Sequence, residues 1–229
     1  FLELQELILK VRMVPVGPSA IDPAFILFAA LALDAVLGDP KWLYRLVPHP
    51  VAVFGALIGA LERRLNRESR SERTRRLRGV LVAGLVVALA LLAAGSLLFF
   101  IRQAPWGWAA EAVVAGVLVA QRDLYVHVAA VAVALESGGL VAGRKAVGEI
   151  VGRDPDGLDE HGVARGAIES LAENFADGVV APVFWYLVAG LPGMLAAKAI
   201  NTLDSMIAHT SPRYRAFGEA AARLDTAIN

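Results

Sequence analysis

Apolar residues run along this chain in blocks of helical length rather than in the short alternations of a sheet. Gly79–Ile101 is twenty-three residues without a charge, and at about 1.5 Å rise per residue such a segment crosses a hydrocarbon core with room for tilt. Pro23–Gly38 is a second block, interrupted only by Asp34, and Trp108–Ala120, with Glu111 inside it, returns the chain across a membrane together with Pro105–Gly107. Phe175–Gly190 and Leu191–Ala208 are apolar but broken by Pro182, Pro192 and polar groups. Irregular backbone at membrane depth survives only where protein or water satisfies it, so these two segments predict broken or re-entrant helices lining a cavity. Four spans are expected. Between Gln121 and Gly152 the pattern changes, with Leu124, Val128, Val131, Ala132 and Leu135 set among Arg122, Asp123, His127 and Glu136, as in an amphipathic helix. Gly138-Gly139 stops it and a second helix, Val141–Val151, follows. This hairpin is expected to be architectural and to pack on the cytoplasmic side. The predicted class is all-α, a polytopic helical membrane protein, with residues 1–229 as one integral-membrane domain.

Composition supports the class, because 57% hydrophobic residues, a mean hydropathy of +0.57 and 19% charged residues lie outside the soluble range. The net charge of zero conceals segregation. Residues 62–78 hold eight arginines and three glutamates, which puts that loop in the cytoplasm, sends Gly79–Ile101 outward and leaves Trp106 and Trp108 at the far interface. Nucleic acid is not expected as a partner, since no aromatic residue interleaves with these arginines. Residues 153–177 carry seven acids against two arginines, a bias that suits metal or amine binding. With no cysteine in the chain, disulfides, thiolate metal sites and a cysteine nucleophile are excluded. No cleavable signal peptide is evident; Met13 is a natural initiator, and residues 1–20 are expected to be disordered or extraneous.

Chemistry concentrates in Glu169, Glu173 and Asp177, spaced four residues apart on one helix face and running directly into apolar chain. Carboxylates beside hydrophobic chain are costly to desolvate, so such a row implies a bound cation, a bound cationic group or a proton-transfer task. The alternative is a solvated stripe in which Arg165 pairs with Glu169. Asp34 is an intramembrane acid able to share a cation with Asp39, which otherwise caps a turn before Pro40, and His49 is framed by Pro48 and Pro50. Arg153, in the turn Gly152-Arg153-Asp154-Pro155, can grip phosphate or simply pair with Asp154. Lys198, Asn201 and Ser205 share a face with Asp204 beside Asn201, either a phosphate and magnesium site or polar pairing between membrane helices. Arg213, Arg215, Arg223 and Asp225 form a basic loop and helix start near the end of the chain. His127 reads as a packing or surface histidine, having no ligand partner at suitable spacing. No P-loop, HExxH pair or GxSxG elbow is present.

Seven strings in order, Asp34-x4-Asp39-Pro, Pro48-His49-Pro50-Val, Gly152-Arg153-Asp154, Arg165-x3-Glu169-Ser-x2-Glu173-Asn174-x2-Asp177-Gly178-x2-Ala-Pro182, Leu191-Pro-Gly193, Lys198-x2-Asn201-Thr-Leu-Asp204-Ser-Met and Arg213-Tyr-x2-Phe217-Gly218, make the chain resemble the CobD/CbiB family of cobalamin-biosynthesis membrane proteins, adenosylcobinamide-phosphate synthase, from about Ile26 to Asn229. Two departures stand out: Thr226 occupies a position where the family shows a second acid after Asp225, and the family continues with further apolar helices. The resemblance implies ATP-dependent amide formation between a propionate of adenosylcobyric acid and the amine of aminopropanol phosphate. In that scheme Glu173, Asp177, Asn201 and Asp204 are the expected magnesium ligands. Arg153, Lys198 and Arg215 meet phosphates, and Glu169 is the expected base. Asp34, Asp39, His49, Asp154, Arg165, Asn174 and Ser205 complete the substrate or nucleotide contacts. Expected partners are the corrinoid, the amino-alcohol phosphate, membrane lipid, other late cobalamin enzymes and further copies of the chain, at the inner membrane. A transporter of a cation or corrinoid-like solute is the alternative, and a scaffold for the late enzymes a third possibility.

One site that uses ATP needs its polar motifs on the cytoplasmic side, and a crossing by Val47–Leu61 would strand Asp39 and His49 outside. Val51–Leu61 is therefore expected to be interfacial or re-entrant. Single cysteines at Ala52 and Ala56, introduced into this cysteine-free chain, should react with an impermeant thiol reagent from the inside of oriented vesicles; labelling from the outside alone would contradict this.

Overall fold

The computed structural model describes residues 21–38, 43–45, 48–152 and 154–229, and the described residues are helices joined by short connections. In chain order these are α1 (Pro23–Leu37), α2 (Pro50–Leu65), α3 (Glu72–Ile101), α4 (Gly107–Val117), α5 (Gln121–Val147), α6 (Glu160–Phe175), a π-helical turn (Ala176–Val180), α7 (Ala181–Ile207) and α8 (Glu219–Ile228), with a 3-10 turn at Leu43–Arg45. The expectations for residues 1–20, Asp39 and Arg153 lie outside the described residues.

Helix starts follow local chemistry. Asp22, His49, Ser71 and Asp159 each accept a backbone N–H of the first turn that has no partner within the helix, and Pro23 and Pro50 sit where a missing N–H costs nothing. The α1–α5 junction is reciprocal. Asp34 Oδ2 accepts the Gln121 and Arg122 N–H groups at 3.0 and 3.2 Å, while Arg122 Nη1 donates to the Ala35 and Val36 carbonyls at 2.7 and 2.8 Å. Each helix thus supplies the charge that the other's terminal dipole favours.

Three helical stretches are long and apolar enough to cross a membrane, Glu72–Ile101, Gly107–Val147 and Glu160–Ile207, and Pro23–Leu37 is a shorter apolar helix. That is one long stretch fewer than the four expected, because α1 is short for a span. The breaks expected from sequence are present. Ala189-Gly190 leaves helical geometry, with Gly190 at φ 64, just before Pro192, and α5 bends at Gly139, φ 66, between the two helices anticipated there. The exposed Leu81, Leu92, Phe99 and Phe100 give α3 an apolar outer face.

α7 ties the molecule together. Its first half packs Tyr186, Leu191 and Met194 against α1 and α4. Its second half packs Ala199, Leu203 and Ile207 against Phe54 and Ile58 of α2, Val82, Val86 and Ala90 of α3, and Phe217. A separate cluster of Val131, Val147, Val163 and Ala167 joins α5 to α6. Two buried polar groups went unread in the sequence as structural pairs. Glu111, 2% exposed, meets the Arg102 guanidinium at 3.2–3.3 Å and accepts the Tyr186 hydroxyl at 2.9 Å. Glu62, Asn66 and Arg75 form a knot that closes on Arg213 and on the carbonyls of Pro212 and Arg213.

That knot and two glycines seat the 211–218 loop. A Cβ on Gly79 would lie 1.9 Å from the Phe217 carbonyl oxygen, and one on Gly218 would lie 1.8 Å from that of Ile207. The loop therefore rests directly on α3 and on the end of α7, and it delivers α8 alongside α7. Gly218→Ala should force the backbones apart and lower stability by about 1–3 kcal/mol, read as a drop in thermal midpoint in detergent; an unchanged midpoint would show that the close approach is not required.

Candidate functional site

The polar faces of α6 and α7 converge. Asp123, Leu124 and His127 of α5, Glu149 and Ile150 just beyond it, Ser170, Glu173 and Asn174 of α6, Asp177 and Gly178 of the π turn, and Lys198, Asn201 and Ser205 of α7 line a cavity of about 430 Å³. This lies within the range of small-molecule sites. The two strings picked out as a possible single site thus face one volume.

Asp177 is placed by the π turn. Helices relax into a π turn where one extra residue is accommodated, at an energetic cost that is met elsewhere, and such turns recur at functional sites. Here the turn holds Asp177 and releases the Gly178 carbonyl to accept the Ala120 N–H at 3.2 Å, stitching the start of α5 to the site. Asp177 Oδ2 accepts Asn201 Nδ2 at 2.7 Å, and Oδ1 accepts Asn229 Nδ2 at 3.2 Å. Asn229 also donates to Asp225 at 3.1 Å, so one amide bridges two carboxylates. Ser170 donates to the Ile150 carbonyl at 2.7 Å, and Asn174 donates back to Ser170 at 2.8 and 3.1 Å, which stiffens this face of α6. Lys198 is half-buried at the cavity wall, and Ser205 donates to the Asn201 carbonyl at 3.0 Å.

The other expected residues lie elsewhere. Asp34 is buried at the α1–α5 junction, where its carboxylate caps α5. His49 accepts the Val51 N–H and stacks edge-on with Tyr44 at 4.9 Å. Asp154 closes a turn on the Asp156 N–H. Arg215 donates to Glu72 at 3.0 Å, on the exposed side of the 211–218 loop. Arg165 and Glu169 are both exposed and outside the cavity lining, so the desolvation expected of Glu169 is lacking.

His127, expected to be a packing or surface histidine, lines the cavity. Its Nδ1 lies 2.7 Å from the Asp123 carbonyl oxygen and 3.4 Å from the Asp123 carboxylate. A carbonyl only accepts, so Nδ1 carries the hydrogen and neutral His127 keeps Nε2 as an acceptor. Its place on an amphipathic helix beside Asp123 was visible in the sequence; the cavity opposite it was not.

Among the described residues, no three acids or histidines gather closely enough to enclose a metal ion. The donors fit magnesium only in its usual protein setting, one or two carboxylates with phosphate and water completing the octahedron. Negative charge is nevertheless concentrated. Burial pushes the Asp225 carboxyl above the usual carboxylate range; Asp204 and Asp177 push the same way, and the Asn229 hydrogen bond opposes them. A carboxyl raised on folding contributes stability below its unfolded pKa and loses it as pH rises through the higher folded value. Asp225→Asn should therefore raise the thermal midpoint at pH 7 relative to the parent, the gap closing toward about pH 3; a gap independent of pH would remove Asp225 from the charge cluster.

A model of the CobD/Cbib protein family matches residues 27–229. The chain is 54% identical over 206 residues to a Sinorhizobium sp protein named cobalamin biosynthesis protein CobD, covering 89% of this chain and 64% of that one. A protein of the same name from Sinorhizobium fredii is 49% identical, over 92% of this chain and 64% of its own length. Another, from Rhodobacter capsulatus, is 49% identical over 90% and 65%. The chain thus spans a little under two thirds of the length of these relatives. No solved structure matches. With the family model covering the whole site and half of the residues shared with its relatives, the chain belongs to the CobD/CbiB family.

Proposed function

We propose that the cavity between α6 and α7 binds the charged reactants of an ATP-dependent amide ligation in cobalamin biosynthesis, joining a propionate of adenosylcobyric acid to aminopropanol phosphate. The observation that carries it is Asp177, presented by a π turn, hydrogen-bonded to the Asn201 and Asn229 amides and lining one polar cavity with Lys198. The relatives are named for cobalamin biosynthesis, and the three apolar stretches support a membrane location. A cavity of about 430 Å³ has room for a small amine phosphate or nucleotide phosphates. A corrin ring is too large to enter whole, so one propionate arm would reach in while the macrocycle stays at the mouth.

In this scheme carboxylate oxygen attacks the γ-phosphorus of ATP, ADP leaves, and the amine nitrogen displaces phosphate from the resulting acyl phosphate. Lys198 offsets charge on the transferred phosphate. Magnesium, held through Glu173 and Asp177 with Asn201 and Asp204 nearby, would neutralise phosphate oxygens. The ammonium must lose a proton before it attacks. His127 Nε2 suits that role better than Glu169, because His127 lines the cavity and its Nδ1 hydrogen is held by the Asp123 carbonyl, which leaves Nε2 as the acceptor. The ATP-using face is then cytoplasmic, with the α5 hairpin beneath the membrane helices.

The alternative, a transporter, has the break in α7 at Gly190 in its favour, since broken helices form midplane sites in transporters. ATP consumption that depends on both substrates supports the ligase, and solute flux into liposomes without ATP supports transport. Within the ligase, His127→Ala should lower amide formation about 10²–10⁴-fold and steepen its dependence on pH, and Asp177→Asn should do comparable damage. Glu169→Gln should stay within a few fold of the parent. Near-parental turnover in both Asp177→Asn and His127→Ala would end this proposal.

A further inference from the structure

The three glutamates among residues 62–78 are all engaged by the 213–215 loop. Glu62 accepts from Arg213 at 2.8 and 3.1 Å, Glu68 lies 3.6 Å from Arg213, and Glu72 accepts from Arg215 at 3.0 Å. Three of the arginines are also committed: Arg75 to the buried knot, Arg76 to Glu219 and Arg78 to the Leu65 carbonyl. Arg63, Arg64, Arg67, Arg70 and Arg73 remain. All five are exposed, and among the described residues none has a side-chain ion pair or hydrogen bond. The fold has therefore consumed the acids that would have neutralised this surface.

Its position gives the surplus charge a partner. α3 carries no charge from Gly79 to Ile101, and Leu77, Val80 and Leu81, 59%, 53% and 67% exposed, adjoin the arginines. If α3 crosses the bilayer, as its length and composition allow, those side chains meet acyl chains and the arginines lie at headgroup depth. Guanidinium groups take phosphate oxygens in paired hydrogen bonds and accept partial desolvation better than ammonium groups. No aromatic residue lies among residues 62–78 to stack on bases, and the apolar surface adjoining the patch is unsuited to a soluble polyanion. We propose that Arg63, Arg64, Arg67, Arg70 and Arg73 form a binding surface for the phosphate groups of anionic phospholipids, anchoring the α2–α3 corner at the membrane boundary. This site is separate from the α6–α7 cavity and does not depend on what that cavity binds.

The test is to place the purified chain in nanodiscs of equal phosphatidylglycerol and phosphatidylcholine and to quantify the lipids it retains by native mass spectrometry. The parent should retain phosphatidylglycerol severalfold over phosphatidylcholine. Changing all five arginines to Gln should bring the ratio close to parity, since each guanidinium near an anionic surface adds to the attraction. Changing all five to Lys preserves the charge that sets topology and should keep most of the preference, while Lys145→Gln, exposed on α5 away from α2 and α3, should keep all of it. Salt at about 1 M, where the Debye length is about 3 Å, should weaken the preference in the unmodified chain, which tests the proposal even if the Gln variant fails to insert. Parity in the parent, an undiminished ratio in a folded Gln variant, or displacement by millimolar inorganic phosphate would overturn it, the last by pointing to a site for free phosphate.

Discussion

A half-buried carboxylate at a polar cavity is fixed in place by its donors, and Asp177 is where this chain supplies them. Both of its oxygens accept from amides, Asn201 on α7 and Asn229 at the end of α8. Amides satisfy the acid without neutralising it, so the negative charge remains available to a cation, where an arginine partner would have cancelled it. The arrangement needs three elements held in register: the π turn that presents Asp177, the second half of α7, and α8. Much of the remaining structure serves that register. The glycines at 79 and 218 let the 211–218 loop rest on α3 and α7, and the Glu62–Asn66–Arg75–Arg213 knot fixes it there. The Trp185 indole donates to the Ile228 carbonyl at 3.1 Å, pinning the end of α8 to the start of α7.

The helical class and most of the breaks were legible in the sequence because they arise from local causes. Uncharged length, paired glycines and proline act on their own neighbourhood, so Gly79–Ile101, the bend at Gly139 and the break before Pro192 appear where the pattern puts them. The count of long apolar stretches was less legible, since α1 is apolar yet only 15 residues long. Residues alone do not say whether a short apolar helix crosses a bilayer or packs within the protein.

The site was half legible. Four-residue spacing predicted that Glu173 and Asp177 share a face, and the same rule put Lys198, Asn201 and Ser205 together; the cavity between them joins the two sets. Spacing within one helix cannot say what stands opposite, and the remaining differences have that origin. Glu169 belongs to the same periodic row but falls outside the cavity, because α6 turns that part of its face to the exterior. Asp34 has the look of an intramembrane functional acid, yet its carboxylate meets the N–H groups at the start of α5, a partner 87 residues away in sequence. Arg215 belongs to a basic loop and is engaged by Glu72 instead of facing the cavity. His127 lacked any ligand partner on its own helix, and its neighbours at the cavity come from α6, the π turn and α7.

The central claim is that the polar faces of α6 and α7 jointly hold one charged reactant. Its most direct test is an experimental structure of the chain in lipid with magnesium and a non-hydrolysable ATP analogue. The account predicts triphosphate density between Lys198 and the Asp177–Asn201 pair, with His127 on the opposite wall. Nucleotide bound elsewhere on the molecule, with that cavity holding only water, would contradict it.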